Sequence, residues 1–248
     1  MMDSELSQAA DLIFKSSRTT AFTGAGISVE SGIPPFRGDN GLWSKYDPGF
    51  LDIDFFYQQP QKSWKIIKEI FYDFFSKAEP NDAHRGLVIL QKNNLLTTII
   101  TQNIDYLHQK AGSEEVYEFH GNSQFLICTN CHQKYSSENI KLDNLPPVCN
   151  ECKGILKPDF IFFGEPIPQK PYRQSYYEAQ NSDLFILIGT TGEVMPACMF
   201  PYMAKQQGAK IIEINTNPSH YTDGITDIFL QGKASEKMND LINCLNIK

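Results

Sequence analysis

Four short apolar runs, each ending in glycine or small polar residues and separated by stretches of helical spacing, restrict this chain to an alternating strand–helix fold. They are Thr19–Thr23 (then Gly24-Ala25-Gly26), 95–101 (then Gln102-Asn103), Leu184–Ile188 (then Gly189-Thr190-Thr191) and 210–214 (then Asn215-Thr216-Asn217). Helices are expected over 4–16, 81–92 and 196–207. Strands that alternate with helices form βαβ units and a parallel sheet, which makes this an α/β protein. In such sheets ligands bind beyond the carboxyl ends of the strands. All four runs deliver Gly, Thr, Asn or Gln to that edge.

Two segments break the rhythm. Segment 43–79 is rich in aromatic residues, with helical spacing in its second half, and is expected to be a helical insertion packing a small core of its own. Segment 125–158 carries two cysteine pairs and several turn formers, and is expected to be a small inserted lobe. Cys128-x2-Cys131 and Cys149-x2-Cys152, separated by residues 132–148, have zinc-ribbon spacing. Two such pairs complete a tetrahedron of thiolates at about 2.3 Å from one zinc ion. With four sulfur ligands there is no open position for water, so the metal is expected to be structural. His132, beside Cys131, reads as a solvent-facing residue of the ribbon.

Composition narrows the function. The formal net charge is −7, which argues against a general binder of phosphate backbones and weakly favours a basic partner such as a Lys-rich peptide. Residues 125–158 balance lysines against acids and form no basic stripe, so nucleic acid is not an expected partner. The longest apolar run is one buried strand, so no membrane association is expected. The opening MMDSELSQAAD has neither the basic nor the apolar region of a secretory signal, and a cytoplasmic location is expected.

Gly24-Ala25-Gly26-Ile27-Ser28-Val29 begins like a dinucleotide-binding turn, with glycines for close approach to a pyrophosphate at a helix N-terminus. Val29 stands at the place of the third glycine. Ile33-Pro34-Pro35-Phe36-Arg37-Gly38 continues it as a loop. Phe36 and Arg37 there would wall off a base or ribose and pair with phosphate. A Phe in a minor cluster with a solvated Arg is the other reading, and the residues alone do not separate the two. Gln102-Asn103-Ile104-Asp105 reaches the same edge, where side-chain amides and a carboxylate can read a carboxamide and position a water or hydroxyl. Asp105 can equally cap the helix that follows. His120 lies before the cysteine lobe, at the expected mouth between lobes, which suits a general base. His84 and His108 fall in helical patterns and read as packing or surface residues.

Taken together these motifs resemble the sirtuin family of NAD-dependent protein deacylases. The matching stretches run GAGISVESGIPPFRG (24–38), TQNIDYLHQKAG (101–112), EFHGN (118–122), the cysteine pairs, FFGEPIP (162–168), GTTGEVMPA (189–197) and INTNPS (214–219). They cover nearly the whole chain in family order.

The resemblance implies a Rossmann-like NAD-binding domain with helices on both sheet faces (1–43, 81–121 and 161–248). A smaller lobe would combine a helical insertion (44–80) with a zinc ribbon (122–160). NAD would be a consumed co-substrate. Its pyrophosphate would lie against Gly24, Ala25 and Gly26 near Ser28 and Arg37. Its nicotinamide would occupy a pocket of Ile33, Phe36, Asn103, Ile104 and Asp105, with Gln102 near the ribose. Its adenosine would contact Gly189, Thr190, Thr191, Asn215, Thr216, Lys233 and Ala234. An acyl-lysine peptide would add as a strand between Ile161, Phe163 and Gly164 on one side and Glu193, Val194 and Met195 on the other, with Phe36, His120, Ile161 and Phe163 around the lysine stem.

The implied reaction has the acyl oxygen attack C1′ of the nicotinamide ribose as nicotinamide leaves. His120 then acts as general base on a ribose hydroxyl, while Asn103 and Asp105 hold the pocket and its water. Water completes the reaction, giving free lysine, nicotinamide and O-acetyl-ADP-ribose. The family default is a monomer.

Two departures carry expectations of their own. Gly192-Glu193 in GTTGEVMPA puts a carboxylate beside the peptide groove and predicts a preference for basic residues next to the target lysine. Relatives that accept succinyl or malonyl groups carry a Tyr-x-x-Arg pair in the helical insertion. Residues 58–84 contain Tyr72 and no arginine, so an acidic acyl group would lack its bidentate partner and acetyl or another neutral acyl is expected. Mono-ADP-ribosyl transfer is the competing reaction within the same chemistry. A nicotinamide dehydrogenase fits poorly with the inserted zinc lobe and the altered fingerprint.

Overall fold

The computed structural model describes residues 4–36 and 41–248, so Arg37, expected beside the phosphates, lies outside the described residues. Six parallel strands form the main sheet: β1 (Thr19–Thr23), β2 (Thr98–Thr101), β3 (Val116–Glu118), then β7 (Leu184–Ile188), β8 (Lys210–Asn215) and β9 (Ile228–Gln231). A second sheet holds β4 (Gly121–Cys128), β5 (Lys134–Ser136) and β6 (Leu156–Phe160), paired antiparallel.

Every residue of β1 and of β7 is buried. Continuous apolar runs of this kind belong to parallel strands covered on both faces. Helices α1 (Ser4–Lys15), α4 (Asp82–Lys92) and α8 (Ala234–Leu245) cover one face through Ala9, Ile13, Leu87, Leu90, Met238 and Leu241. The other face is covered by α6 (Gln169–Asn181) and α7 (Met199–Gln206), through Ala179, Phe200 and Ala204.

The strand order is β3-β2-β1-β7-β8-β9, so the order reverses between β1 and β7. The loops leaving those two strands meet there, and the crevice beyond the carboxyl ends of the strands at such a point is the position where open α/β sheets bind ligands.

Sequence periodicity located β1 and β7 at their observed bounds. The second apolar run differs: Leu95 and Leu96 belong to the connection after Asn94 (φ +58°), and β2 starts at Thr98. Strands β3 and β9 escaped notice because they are short edge strands of three and four residues. Helix α6 also escaped, since its polar sequence QKPYRQSYYEAQN buries only Ser175, Glu178 and Ala179.

The aromatic segment is helical, with α2 (Ile53–Gln58) and α3 (Pro60–Ile67) running into a π-helical stretch, Lys68–Phe74. It does not pack a core of its own, contrary to the expectation. Trp64, Ile67 and Phe71 share one cluster with Leu126, Leu156 and Phe160 of the cysteine lobe and with Phe162 just beyond it. The indole of Trp64 donates to the Leu156 carbonyl oxygen at 2.8 Å, and Phe71 meets Phe160 edge-on at 5.1 Å. A short three-stranded ribbon has too little apolar face to stand alone, and the aromatic helices supply the missing surface.

Candidate active site

At the switch point the two loops touch backbone to backbone. Gly26 N–H donates to the Gly189 carbonyl oxygen at 2.8 Å, and Gly24 N–H donates to that of Ile188 at 3.0 Å. A Cβ on Gly26 would lie 2.5 Å from the Gly189 Cα, so no side chain fits at either glycine. Gly189 also has φ +61°, a left-handed conformation open to glycine at little cost. The segment after Gly24, which begins like a dinucleotide-binding turn but has Val29 at the place of the third glycine, is a 3-10 helix, Ala25–Ser31. Val29 is 44% exposed on it, and the close packing done by a third glycine in the regular fingerprint falls here to Gly189.

The loop after β2 enters the same crevice. Asn103 is buried, and its amide donates to the Gly24 carbonyl oxygen at 3.1 Å and to Ser28 Oγ at 3.3 Å. Asp105 Oδ2 accepts from Ser28 Oγ at 2.7 Å and Oδ1 accepts from Leu107 N–H at 3.0 Å. The second bond reaches the first N–H of the short helix α5 (Leu107–Ala111), whose N-cap is Tyr106 and not Asp105, so the carboxylate ties the start of that helix to the glycine loop. Burial raises the Asp105 pKa, and the Leu107 and Ser28 hydrogen bonds oppose that rise. Gln102 Nε2 donates to Thr190 Oγ1 at 3.1 Å, which ties the β2 loop to the β7 loop. Ile33 and Ile104 are buried in one cluster, with Phe36 packed against it.

His120 follows β3. Its Nδ1 lies 3.0 Å from the Gln102 carbonyl oxygen, which can only accept, so Nδ1 carries the proton and Nε2 is left unprotonated. Burial lowers its pKa, partly opposed by that hydrogen bond. Ile161 N–H donates to the His120 carbonyl oxygen at 2.9 Å, which sets the histidine beside the segment leaving β6.

That segment is pinned at alternate positions. Phe163 N–H donates to the Leu51 carbonyl oxygen at 2.8 Å, and its own carbonyl oxygen accepts from Ile53 N–H at 3.0 Å. Phe162 N–H donates to Glu165 Oε2 at 2.7 Å. Among the described residues, the Ile161 carbonyl and both backbone groups of Gly164 make no hydrogen bond. Rings of Phe36, Trp43 and Phe163 follow one another at 5.2 and 6.4 Å. Trp43, read only as part of the aromatic insertion, joins this wall. Phe163 is 48% and Met195 65% exposed. Val194 gives its carbonyl oxygen to Cys198 N–H at 2.9 Å. Glu193 is held by Thr191 Oγ1 at 3.3 Å and faces His220 Nε2 at 3.4 Å.

On the other side of the crevice, Asn215 Nδ2 donates to the Thr190 carbonyl oxygen at 3.0 Å, and Thr216 N–H donates to Asn215 Oδ1 at 3.0 Å. Lys233 caps α8, which begins at Ala234. Glu30 Oε2 accepts from Ser235 N–H at 2.8 Å, which anchors this turn to the glycine loop.

Beneath the crevice lies a polar seam that the sequence did not disclose. Thr23 Oγ1 is 2.9 Å from both Thr101 Oγ1 and His108 Nε2, and the His108 ring meets that of His84 at 4.9 Å. Both histidines are buried, and burial lowers both pKa values, His84 to about 4. His84 Nδ1 lies against Asn81, which caps α4 and donates to the Ile27 carbonyl oxygen at 2.7 Å. A histidine three residues after a capping asparagine was the available signal.

In the second sheet, the sulfur atoms of Cys128, Cys131, Cys149 and Cys152 all lie within 4.8 Å of one another. Two of the pairs stand at 3.4 and 3.6 Å. A zinc tetrathiolate with bonds of about 2.3 Å separates its sulfurs by roughly 3.8 Å, so the four thiols fit zinc. These distances also exclude disulfides. Tyr135 hydroxyl lies 3.1 Å from Cys149 Sγ, and backbone N–H groups of Asn130 and Cys131 point at Cys128 Sγ. His132 is exposed in the turn, with φ +58°.

Known proteins share this arrangement. An NAD-dependent protein deacetylase of Pyrobaculum aerophilum is 40% identical over 243 residues, spanning 97% of this chain and 95% of that protein. An NAD-dependent protein deacylase of Archaeoglobus fulgidus is 41% identical over 246 residues, spanning 97% and 96%. A solved Sir2 structure with deacetylated p53 peptide and 3′-O-acetyl ADP-ribose superposes with a TM-score of 0.93 at 35% identity, covering 98% of this chain and 99% of that one. The Sir2 family pattern itself matches residues 24–196, and with the switch-point crevice and the four-cysteine lobe in place the chain belongs to the Sir2 family.

Proposed function

We infer that this chain is an NAD-dependent protein-lysine deacylase that yields deacylated lysine, nicotinamide and O-acetyl-ADP-ribose. The observation that carries the reading is His120, held by Gln102 with Nε2 unprotonated, at the junction of the glycine-loop crevice and the 161–164 segment. NAD supplies an electrophilic ribose carbon when bound. Gly24, Ala25 and Gly26 offer backbone close to its phosphates, with Ser28 nearby, and Arg37 is assigned to pair with them. Asn103, Ile104, Asp105, Ile33 and Phe36 enclose the nicotinamide. Gln102 serves the ribose, and Gly189, Thr190, Thr191, Asn215, Thr216, Lys233 and Ala234 serve the adenosine half.

His120 Nε2 takes the proton of a ribose hydroxyl as that hydroxyl attacks the acyl carbon. Asn103 and Asp105 position a water and keep the pocket's shape, a preorganised electrostatic role. The acyl-lysine stem passes Phe36, Ile161, Phe163 and His120, and the peptide lies between Ile161 and Gly164 on one side and Glu193, Val194 and Met195 on the other. Free backbone groups at Ile161 and Gly164 support strand addition over a short span only. One structural zinc ion on the four cysteines, a monomeric state, a cytoplasmic location and no nucleic-acid partner complete the reading. The chain divides as 1–43, 81–121 and 161–248 for the NAD-binding domain, 44–80 for the helical insertion and 122–160 for the ribbon.

Incubating the zinc-loaded protein with an acetyl-lysine peptide tests the reading. Loss of acetyl that requires NAD and is accompanied by free nicotinamide is expected. Acetyl loss that proceeds equally without NAD would refute it.

The pH profile follows from His120. The base acts when neutral, and burial places its pKa below the ordinary 6.5. Activity should therefore hold at pH 6.5 and fall only as the pH drops through a lower value, read as the acid limb of kcat/KM. An acid limb centred above pH 6.5 would exclude His120 as the group titrating.

Glu193 bears on selectivity. Replacing it with glutamine should cut the preference for peptides with Lys or Arg beside the acyl-lysine by about three- to tenfold, the effect of one half-exposed charge pair. A panel of paired basic and neutral peptides with unchanged kcat/KM ratios would dismiss that role.

A further inference from the structure

Lys157 is a lysine with its head group inside the protein. The residue is 7% exposed, near the start of β6, and its ammonium spends all three N–H donors at once. They go to the Pro158 carbonyl oxygen at 3.0 Å, the Phe160 carbonyl oxygen at 2.8 Å and Glu165 Oε2 at 2.9 Å. The same ammonium sits 4.2 Å from the centroid of the Phe162 ring. Glu165 Oε2 also takes the Phe162 N–H, and Glu165 N–H returns to the Phe162 carbonyl oxygen at 3.0 Å.

Lys157 and Glu165 therefore close a loop around residues 158–164 and use up the inward-pointing backbone groups of Pro158, Phe160 and Phe162. The β4–β6 pairing cannot do this work. Its register shifts between Gly121 and Leu126, and Gly121 opposite Phe160 is its last pair. Beyond Phe160 the chain leaves the sheet, and Gly164 turns with φ +90°. Next to the Ile161 carbonyl and the Gly164 backbone, Lys157 and Glu165 add a second set of holds to the backbone bonds already made at Ile161 and Phe163.

A buried ion pair is a poor way to gain stability, because desolvation offsets its attraction. Its use here is directional. Ionic hydrogen bonds to the alternate carbonyls of Pro158 and Phe160 fix the orientation of the chain where it leaves the β4–β6 pairing.

We propose that Lys157, clamped to Glu165, is a positioning residue that fixes the 161–164 wall of the acyl-lysine peptide groove. The inference rests on the deacylase reading for the identity of the peptide. Lys157 faces the cleft behind that wall and takes no part in holding NAD.

The test compares K157M, K157R and the double variant K157M/E165Q, which removes the carboxylate stranded by the single change. Each is checked for bound zinc and thermal midpoint. Three quantities are read: peptide KM, kcat at saturating peptide, and the Kd of an acetyl-lysine peptide with ADP-ribose present. ADP-ribose affinity is measured alongside.

The expected result is a rise of about tenfold or more in peptide KM and Kd for K157M and for the double variant, the scale of a displaced binding wall. Values of kcat and ADP-ribose Kd should stay within about twofold, and K157R should recover most of the peptide affinity because its guanidinium reaches the same oxygens. Unchanged peptide KM and Kd in the folded double variant would overturn the proposal. So would an equal loss in ADP-ribose affinity, kcat and peptide binding, the pattern of general loosening. Direct peptide binding keeps the two readings apart: a wild-type protein that binds the peptide without NAD-dependent deacylation defeats the function and still tests the clamp. A wild-type protein that binds no acyl-lysine peptide would overturn both.

Discussion

Replacing His120 with alanine is expected to lower kcat for NAD-dependent deacylation by about 10²–10⁴-fold, the usual worth of a positioned general base. The fold should be little affected, because among the described residues the half-buried imidazole makes one hydrogen bond, to the Gln102 carbonyl oxygen. ADP-ribose binding should change little, since the glycine loop and its Asn103 and Ser28 braces do not depend on the ring. Nicotinamide release can outlast acetyl loss in this variant, because the base serves the hydroxyl attack that follows departure of nicotinamide. Side-by-side titration of nicotinamide and deacetylated peptide reads the difference. Full deacylation by the alanine variant would remove His120 from the mechanism.

The second large effect concerns the four thiols. Changing Cys149 to serine, or stripping the metal with a chelator, should abolish activity and lower the thermal midpoint by well over about 5 °C, since structural zinc contributes folding free energy directly. The loss should spread beyond the ribbon. Trp64 is bonded to the Leu156 carbonyl oxygen, and the core that contains Cys128 and Cys149 also contains Phe160, Phe162 and Ile104. Loosening the ribbon therefore reaches Phe162, in the 161–164 segment, and Ile104, in the loop after β2, through continuous packing. Near-ultraviolet circular dichroism of the aromatic cluster, with zinc content by atomic absorption, follows this. A stripped protein that keeps its midpoint and its turnover would show that the thiols are not a structural metal site.

Legibility differed between the sheet centre and its edges. Strands β1 and β7 are continuous apolar runs bounded by polar residues, and burial on both faces writes that pattern directly into the sequence. Strands β3 and β9 are edges of three or four residues, and α6 buries few apolar groups, so little periodicity marks them. The site divides in the same way. Gly24–Gly26, 102–105 and 189–191 each follow a strand end, so the chain order alone predicts their meeting at one crevice.

The supports beneath them depend on pairs far apart in sequence. His84 with His108, Glu30 with Ser235, and Trp64 with Leu156 become partners only when helices dock. The same holds for the shared core of the aromatic helices and the ribbon. Hydrophobic spacing says that a face must be covered, and only tertiary packing says by what.

The most direct measurement follows the acetyl group itself. An acetyl-lysine peptide labelled in the acetyl carbon is turned over with NAD, and the small-molecule products are resolved by mass. Acetyl recovered on ADP-ribose, in equal amount to nicotinamide and deacetylated peptide, is the predicted result. Label recovered only as free acetate from the earliest times, or ADP-ribose attached to a peptide that keeps its acetyl, would contradict it.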